Sequence, residues 1–141
     1  MSFEVVDNFL DEETYKTIGN AMLSGNFPWY YLYGVSGMGE DSYNVMFTHN
    51  FYSGCQTMSS HFNNMIMPLL NKFPRVKSLI RVKGNLYPKT DILYHHNDHI
   101  DMDFDHKGAI YYVNSNNGFT VIGDQKIESV ANRMLFFNPQ V

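Results

Sequence analysis

"GAIYYVNSNNGFTVI", from Gly108 to Ile122, followed by "KIESVANRMLFF", from Lys126 to Phe137, decides how the chain folds. Both stretches break into short runs of β-branched and aromatic residues, separated by Asn, Ser and Gly, which favour turns. The same texture begins at Lys77. With "VKSLIRVKGNLYP" (76–88) and "DILYHHN" (91–97), the segments "GAIYYVN", "GFTVI", "KIESV" and "RMLFF" make six candidate strands at short spacing. Closely spaced strands of this kind indicate a sandwich or a barrel.

The chain before Lys77 reads differently. "FEVV" (3–6) suits a short strand. Asp11 is a good helix N-cap, Glu12 and Glu13 suit the first turn, and Leu10, Thr14, Ile18 and Met22 form one stripe that Gly25-Asn26 ends. "FPWYYLYGVSGMGED" (27–41) runs from an extended aromatic piece into a Gly-rich loop, a candidate substrate lid. "SYNVMFTHNFY" (42–52) suits a further strand. "TMSSHFNNMIMPLLNKF" (57–73) has helical periodicity, with Pro68 marking a kink or a late restart. The reading is one α+β domain over 1–141, helix-rich over 1–75 and β-rich over 76–141.

Bulk composition narrows the function. The chain has 141 residues, 44% hydrophobic and 17% charged, which suits one soluble domain. A net charge of −4 with scattered Lys and Arg argues against nucleic acid as a partner. No apolar stretch is long enough to span a bilayer, and "MSFEVVDNFL" lacks the features of a secretory leader. Cys55 is the only cysteine and reads as an inert thiol. A cytoplasmic location follows as the expectation, including the cytoplasm of a host cell.

Chemistry concentrates in "HHNDHIDMDFDH" (95–106), which holds four His and four Asp. Two His-x-Asp pairs overlap in it: His96 with Asp98, and His99 with Asp101. On an extended chain residues two apart point to one side, so an imidazole and a carboxylate can grip one cation. Two His and one carboxylate form the facial triad of non-haem Fe(II) oxygenases. Taken alone, the motif reads better as a solvated, acidic loop joining two strands. His95 and His106 read as solvent-facing or supporting groups, and His49 and His61 as structural or surface residues.

The order of motifs resembles the Fe(II)/2-oxoglutarate-dependent dioxygenases, in the prolyl-4-hydroxylase-like and phage-type branch. The matching residues are His99-x-Asp101, then Tyr111-Tyr112-Val113-Asn114, Gly118-Phe119-Thr120, and Ser129-Val130-Ala131-Asn132-Arg133 leading to Phe136-Phe137. "RVKGNLYPKT" (81–90) resembles the strand whose Tyr, here Tyr87, reaches the co-substrate. The resemblance implies a double-stranded β-helix (a jelly roll, cupin-like) with N-terminal helices packed on one sheet. It implies His99 and Asp101 as metal ligands, with His96 and Asp98 the second choice, since in the family only a short loop separates the Asp from the following strand. It implies Fe(II) and 2-oxoglutarate as cofactors, and Tyr87, Tyr112 and Thr120 around the co-substrate. Asn85 and Asn114 read as pocket or turn residues.

The resemblance also calls for a distal His and then an Arg after "LFFNPQ" (135–140), yet no His follows His106. The sequence therefore reads as such a domain without its last one or two strands and without its third ligand. The expectation is a weakly active or inactive oxygenase for a protein or small-molecule substrate, paired with a second copy through an open sheet edge. The alternative is a jelly-roll module that binds a metal, or serves structurally, and catalyses nothing.

Overall fold

In the computed structural model, residues 2–35 and 44–139 are described. The chain is a mixed α+β protein, mostly antiparallel sheet with two short helices. It divides into two compact units: a terminal unit of residues 1–20 and 98–141, and a central unit of residues 21–97.

In the terminal unit, strand β1 (Phe3–Val6) pairs antiparallel with β9 (Arg133–Phe137), and β9 pairs antiparallel with β6 (Gly108–Tyr112). Leu135 lies opposite both Val5 and Ile110, and Met134 opposite both Val6 and Tyr111. Leu135 and Met134 are 0% and 1% exposed, so the sheet's middle strand is also its most buried. A hairpin of β7 (Phe119–Ile122) and β8 (Gln125–Glu128) turns at Gly123, whose φ of +61° suits glycine. Tyr112, Ile122, Ile127 and Leu135 form one core cluster, with Ile110 and Phe137 against it. Burying each such side chain contributes about 2 kcal/mol. The Phe137 ring lies across Gly108, where a Cβ would meet it at 2.4 Å, so a larger residue there would have to push the ring aside.

Helix α1 (Glu12–Met22) starts as its sequence dictates. Asp11 caps it, its carboxylate accepting from the Thr14 amide at 2.9 Å and the Thr14 hydroxyl at 2.7 Å. Leu10, Ile18 and Met22 are all buried, as the stripe requires.

In the central unit, β3 (Val45–Ser53) pairs antiparallel with β2 (Tyr30–Tyr33), β4 (Gln56–Thr57) and β5 (Val82–Leu86). Phe27, Met46, Phe51, Phe62, Met65, Ile66 and Leu69 are buried. Gly84 of β5 is buried where a Cβ would lie 3.1 Å from Met22 and 3.3 Å from Trp29, which explains a glycine inside a strand.

Two segments depart from the sequence reading. The periodic stretch 57–73 folds as a π-helical turn (Phe62–Ile66) followed by one α-turn, α2 (Met67–Leu70), with Pro68 at the start of the α-turn, where its missing N–H is not needed. Residues 91–97 form no strand: Ile92 and Leu93 are 56% and 52% exposed, and the Thr90 hydroxyl donates to the Ile92 carbonyl, a local bond that competes with extended pairing. Most of the Gly-rich loop, residues 36–43, lies outside the described residues, and the lid expectation with it.

Candidate metal arm and its surroundings

His99 and Asp101 stand in the loop ahead of β6, in the terminal unit. Their side chains are 52% and 48% exposed, and His99 Nε2 lies 3.9 Å from Asp101 Oδ1. Cis donors on one divalent ion, each at about 2.1 Å, lie about 3 Å apart. The pair therefore suits one cation after closing by roughly 1 Å, which exposed side chains can do. Among the described residues, no group of three or more His, Cys, Asp or Glu side chains is gathered to hold a metal. A complete triad is not assembled from these residues.

The second-choice pair is split between units, since the boundary falls between Asn97 and Asp98. His96 lies among tyrosines of the central unit, its ring 5.5 Å from that of Tyr87 and 5.0 Å from that of Tyr94. Tyr87 itself is 51% exposed and belongs to the central unit. His95 is exposed. His106 is half-buried and donates from Nδ1 to the Phe104 carbonyl at 2.8 Å.

Tyr112 and Thr120 do meet. The Tyr112 hydroxyl donates to Thr120 Oγ1 at 2.7 Å, across β6 and β7. Burial pushes the Tyr112 phenol up from its ordinary pKa, and the Thr120 bond offsets part of that. Its neighbour Tyr111 donates to Asn132 Oδ1 at 2.9 Å, and burial pushes its phenol up to about 12. Asn132 is buried at φ +62° and ties the two ends of the chain together. Its Oδ1 accepts from the Leu10 amide at 2.9 Å, and its Nδ2 donates to the Leu10 carbonyl at 2.8 Å. Arg133 donates to both Asp7 oxygens, at 2.6 and 3.1 Å, and to the Glu128 carbonyl at 3.0 Å. That bidentate pair holds the Asp7 carboxyl below its ordinary pKa. Arg133 therefore serves the fold, fastening β9 to the start of the chain.

Asn114 accepts from Asn116 Nδ2 at 3.0 Å, and Asn116 Oδ1 accepts from the Gly118 amide at 2.8 Å, so this is a turn. Asn85 is an exposed residue of β5, opposite Thr48. An open cavity of about 260 Å³ is lined by Asn8, Leu10, Glu12, Tyr15 and Asn132, none of them an expected site residue.

His49, expected as a structural or surface residue, has an unusually complete set of bonds. The ring is buried, with Nδ1 2.8 Å from the Pro28 carbonyl and Nε2 2.7 Å from Ser59 Oγ. Nothing in the sequence flagged Ser59. Its only signal is a hydroxyl residue ten positions from a histidine, which carries no information without the fold.

Comparison with known proteins returns no relative: no family model matches the chain, and no curated protein and no solved structure matches it.

Proposed function

We propose that the chain is a metal-dependent domain of the Fe(II)/2-oxoglutarate oxygenase type, with a double-stranded β-helix core, whose metal arm is His99 and Asp101. The observation that carries this reading is the pairing of those two side chains at 3.9 Å just ahead of β6, in the motif order the resemblance calls for. Bound iron with 2-oxoglutarate would supply oxidative hydroxylation of a C–H bond. The chain's own part is narrower. His99 must offer a neutral Nε2 and Asp101 a carboxylate, while the hydrogen-bonded Tyr112 and Thr120 form a partly buried polar pair behind them in sequence. Two protein donors hold a cation more weakly than three, so weak binding and low turnover are expected.

A second reading is favoured by the exposure of both donors and by the two-member ligand set. On that reading the loop binds a cation without catalysis. In both readings β1 and β6 each pair only with β9 among the described residues, which invites a second copy of the chain at a sheet edge.

One experiment separates the readings. The chain is titrated anaerobically with Fe(II), and 2-oxoglutarate and oxygen are then added while succinate is measured. Binding and turnover that both vanish in His99→Ala support the oxygenase. Binding without succinate supports the non-catalytic module. Binding unchanged in both His99→Ala and Asp101→Ala overturns the metal arm.

A further inference from the structure

We propose that Ser59 and His49 of the central unit are a nucleophile and its general base, able to take an acyl group from a carboxylic ester. The proton positions follow from the bonding. A carbonyl oxygen only accepts, so the Nδ1 that sits 2.8 Å from the Pro28 carbonyl carries the ring proton. In the neutral ring Nε2 is then the lone-pair nitrogen, and the Ser59 hydroxyl donates to it at 2.7 Å. This is the arrangement that activates a serine: a base within hydrogen-bond reach, its tautomer fixed by a third group.

The ring is also held in place. His49 is 5% exposed on β3, the Phe27 ring lies 4.5 Å away and the Phe51 ring 4.6 Å away. The His61 amide donates to Ser59 Oγ at 3.1 Å, which fixes the serine rotamer and stabilises negative charge building on that oxygen. Ser59 is only half-buried, between exposed Met58 and exposed Ser60, so the serine lies at the surface of the unit, within reach of a substrate from solvent.

The reaction balances with these two groups. Ser59 Oγ bonds to the ester carbonyl carbon while its proton passes to His49 Nε2. The carbon–alkoxide bond then breaks, and the leaving alcohol takes that proton back. Water repeats the sequence on the acyl-serine, releasing the acid and restoring Ser59. The group orienting His49 is a neutral carbonyl rather than a carboxylate, so the imidazolium is stabilised less. That restricts the pair to good leaving groups, and esters are favoured over amides.

The test uses the whole chain and a fluorophosphonate probe, with the modified residue mapped by mass spectrometry. The expected result is modification at Ser59, none in Ser59→Ala, and labelling slowed about a hundredfold in His49→Gln. No label at Ser59, or equal labelling of the exposed Ser60, overturns the proposal. Because His49→Gln can unfold the unit, nitrogen NMR of wild-type His49 gives an independent reading. A proton on Nδ1 supports the pair, and a proton on Nε2 overturns it.

Discussion

The loop 95–106 and the single residue His49 make opposite cases. The loop collects four of the chain's six histidines, yet His99 and Asp101 are half-exposed and 3.9 Å apart. His49 stands alone in its sequence neighbourhood, yet it is buried with both ring nitrogens bonded within 2.8 Å. Composition marks where ligands are available. Positioning marks where chemistry has been prepared, because a site must hold its groups before the substrate arrives. Asn132 is the terminal unit's counterpart to His49, a buried polar side chain with every bond directed.

The contrast predicts a ladder of stabilities. Asn132→Ala should cost the most, about 4 kcal/mol, since three polar partners lose their bonds and alanine must adopt a positive φ. His49→Ala should follow at about 3 kcal/mol, for two lost bonds and the cavity left by the ring. Denaturant unfolding of both variants measures this. A loss below about 1 kcal/mol in either one removes the claim that these side chains are fixed by the fold.

Much of the fold was readable because it rests on local signals. Asp11 with Glu12 and Glu13 announced α1, and the runs "GAIYYVN", "GFTVI", "KIESV" and "RMLFF" announced the strands that form at Gly108–Tyr112, Phe119–Ile122, Gln125–Glu128 and Arg133–Phe137. Pairing was not readable. Nothing local says that Phe3 lies opposite Phe137, or that Arg133 closes on Asp7 across 126 positions. "DILYHHN" misled because its composition suits a strand, while the Thr90 bond to Ile92 and the exposure of Ile92 and Leu93 turn it into a loop. The site divides the same way. The His-x-Asp spacing did bring His99 and Asp101 together, and Tyr112 does reach Thr120. The Pro28–His49–Ser59 chain of bonds joins strand β3 to the loops before β2 and after β4, and it left no trace in the sequence.

The Asp7–Arg133 pair tests the middle of the ladder. Arg133 is mostly buried and Asp7 half-exposed, so solvent screening limits Asp7→Asn to about 1 kcal/mol. The sign with pH follows from the lowered Asp7 pKa. The folded state prefers the carboxylate, so the stabilisation is complete above the ordinary value of 3.8 and is lost as pH falls through the lowered one. Wild type and Asp7→Asn should therefore differ at about pH 6 and converge towards about pH 2. A gap that widens on acidification would mean that the pair does not hold β9 to the chain start as drawn.

The smallest effect carries the most information about the loop. His99→Ala and Asp101→Ala should each change the stability of the metal-free chain by less than about 0.5 kcal/mol, because exposed side chains contribute little to the fold. Addition of Mn²⁺ as a redox-stable probe should separate them from wild type. At roughly ten times its dissociation constant a bound ion stabilises the folded state by about 1.4 kcal/mol, and the variants should lose that gain. If either substitution instead destabilises the metal-free chain as much as His49→Ala, the loop is part of the structural frame and the contrast with His49 disappears. If neither destabilises and neither loses the gain, the cation sits elsewhere, and the gathered histidines and aspartates are a solvated face.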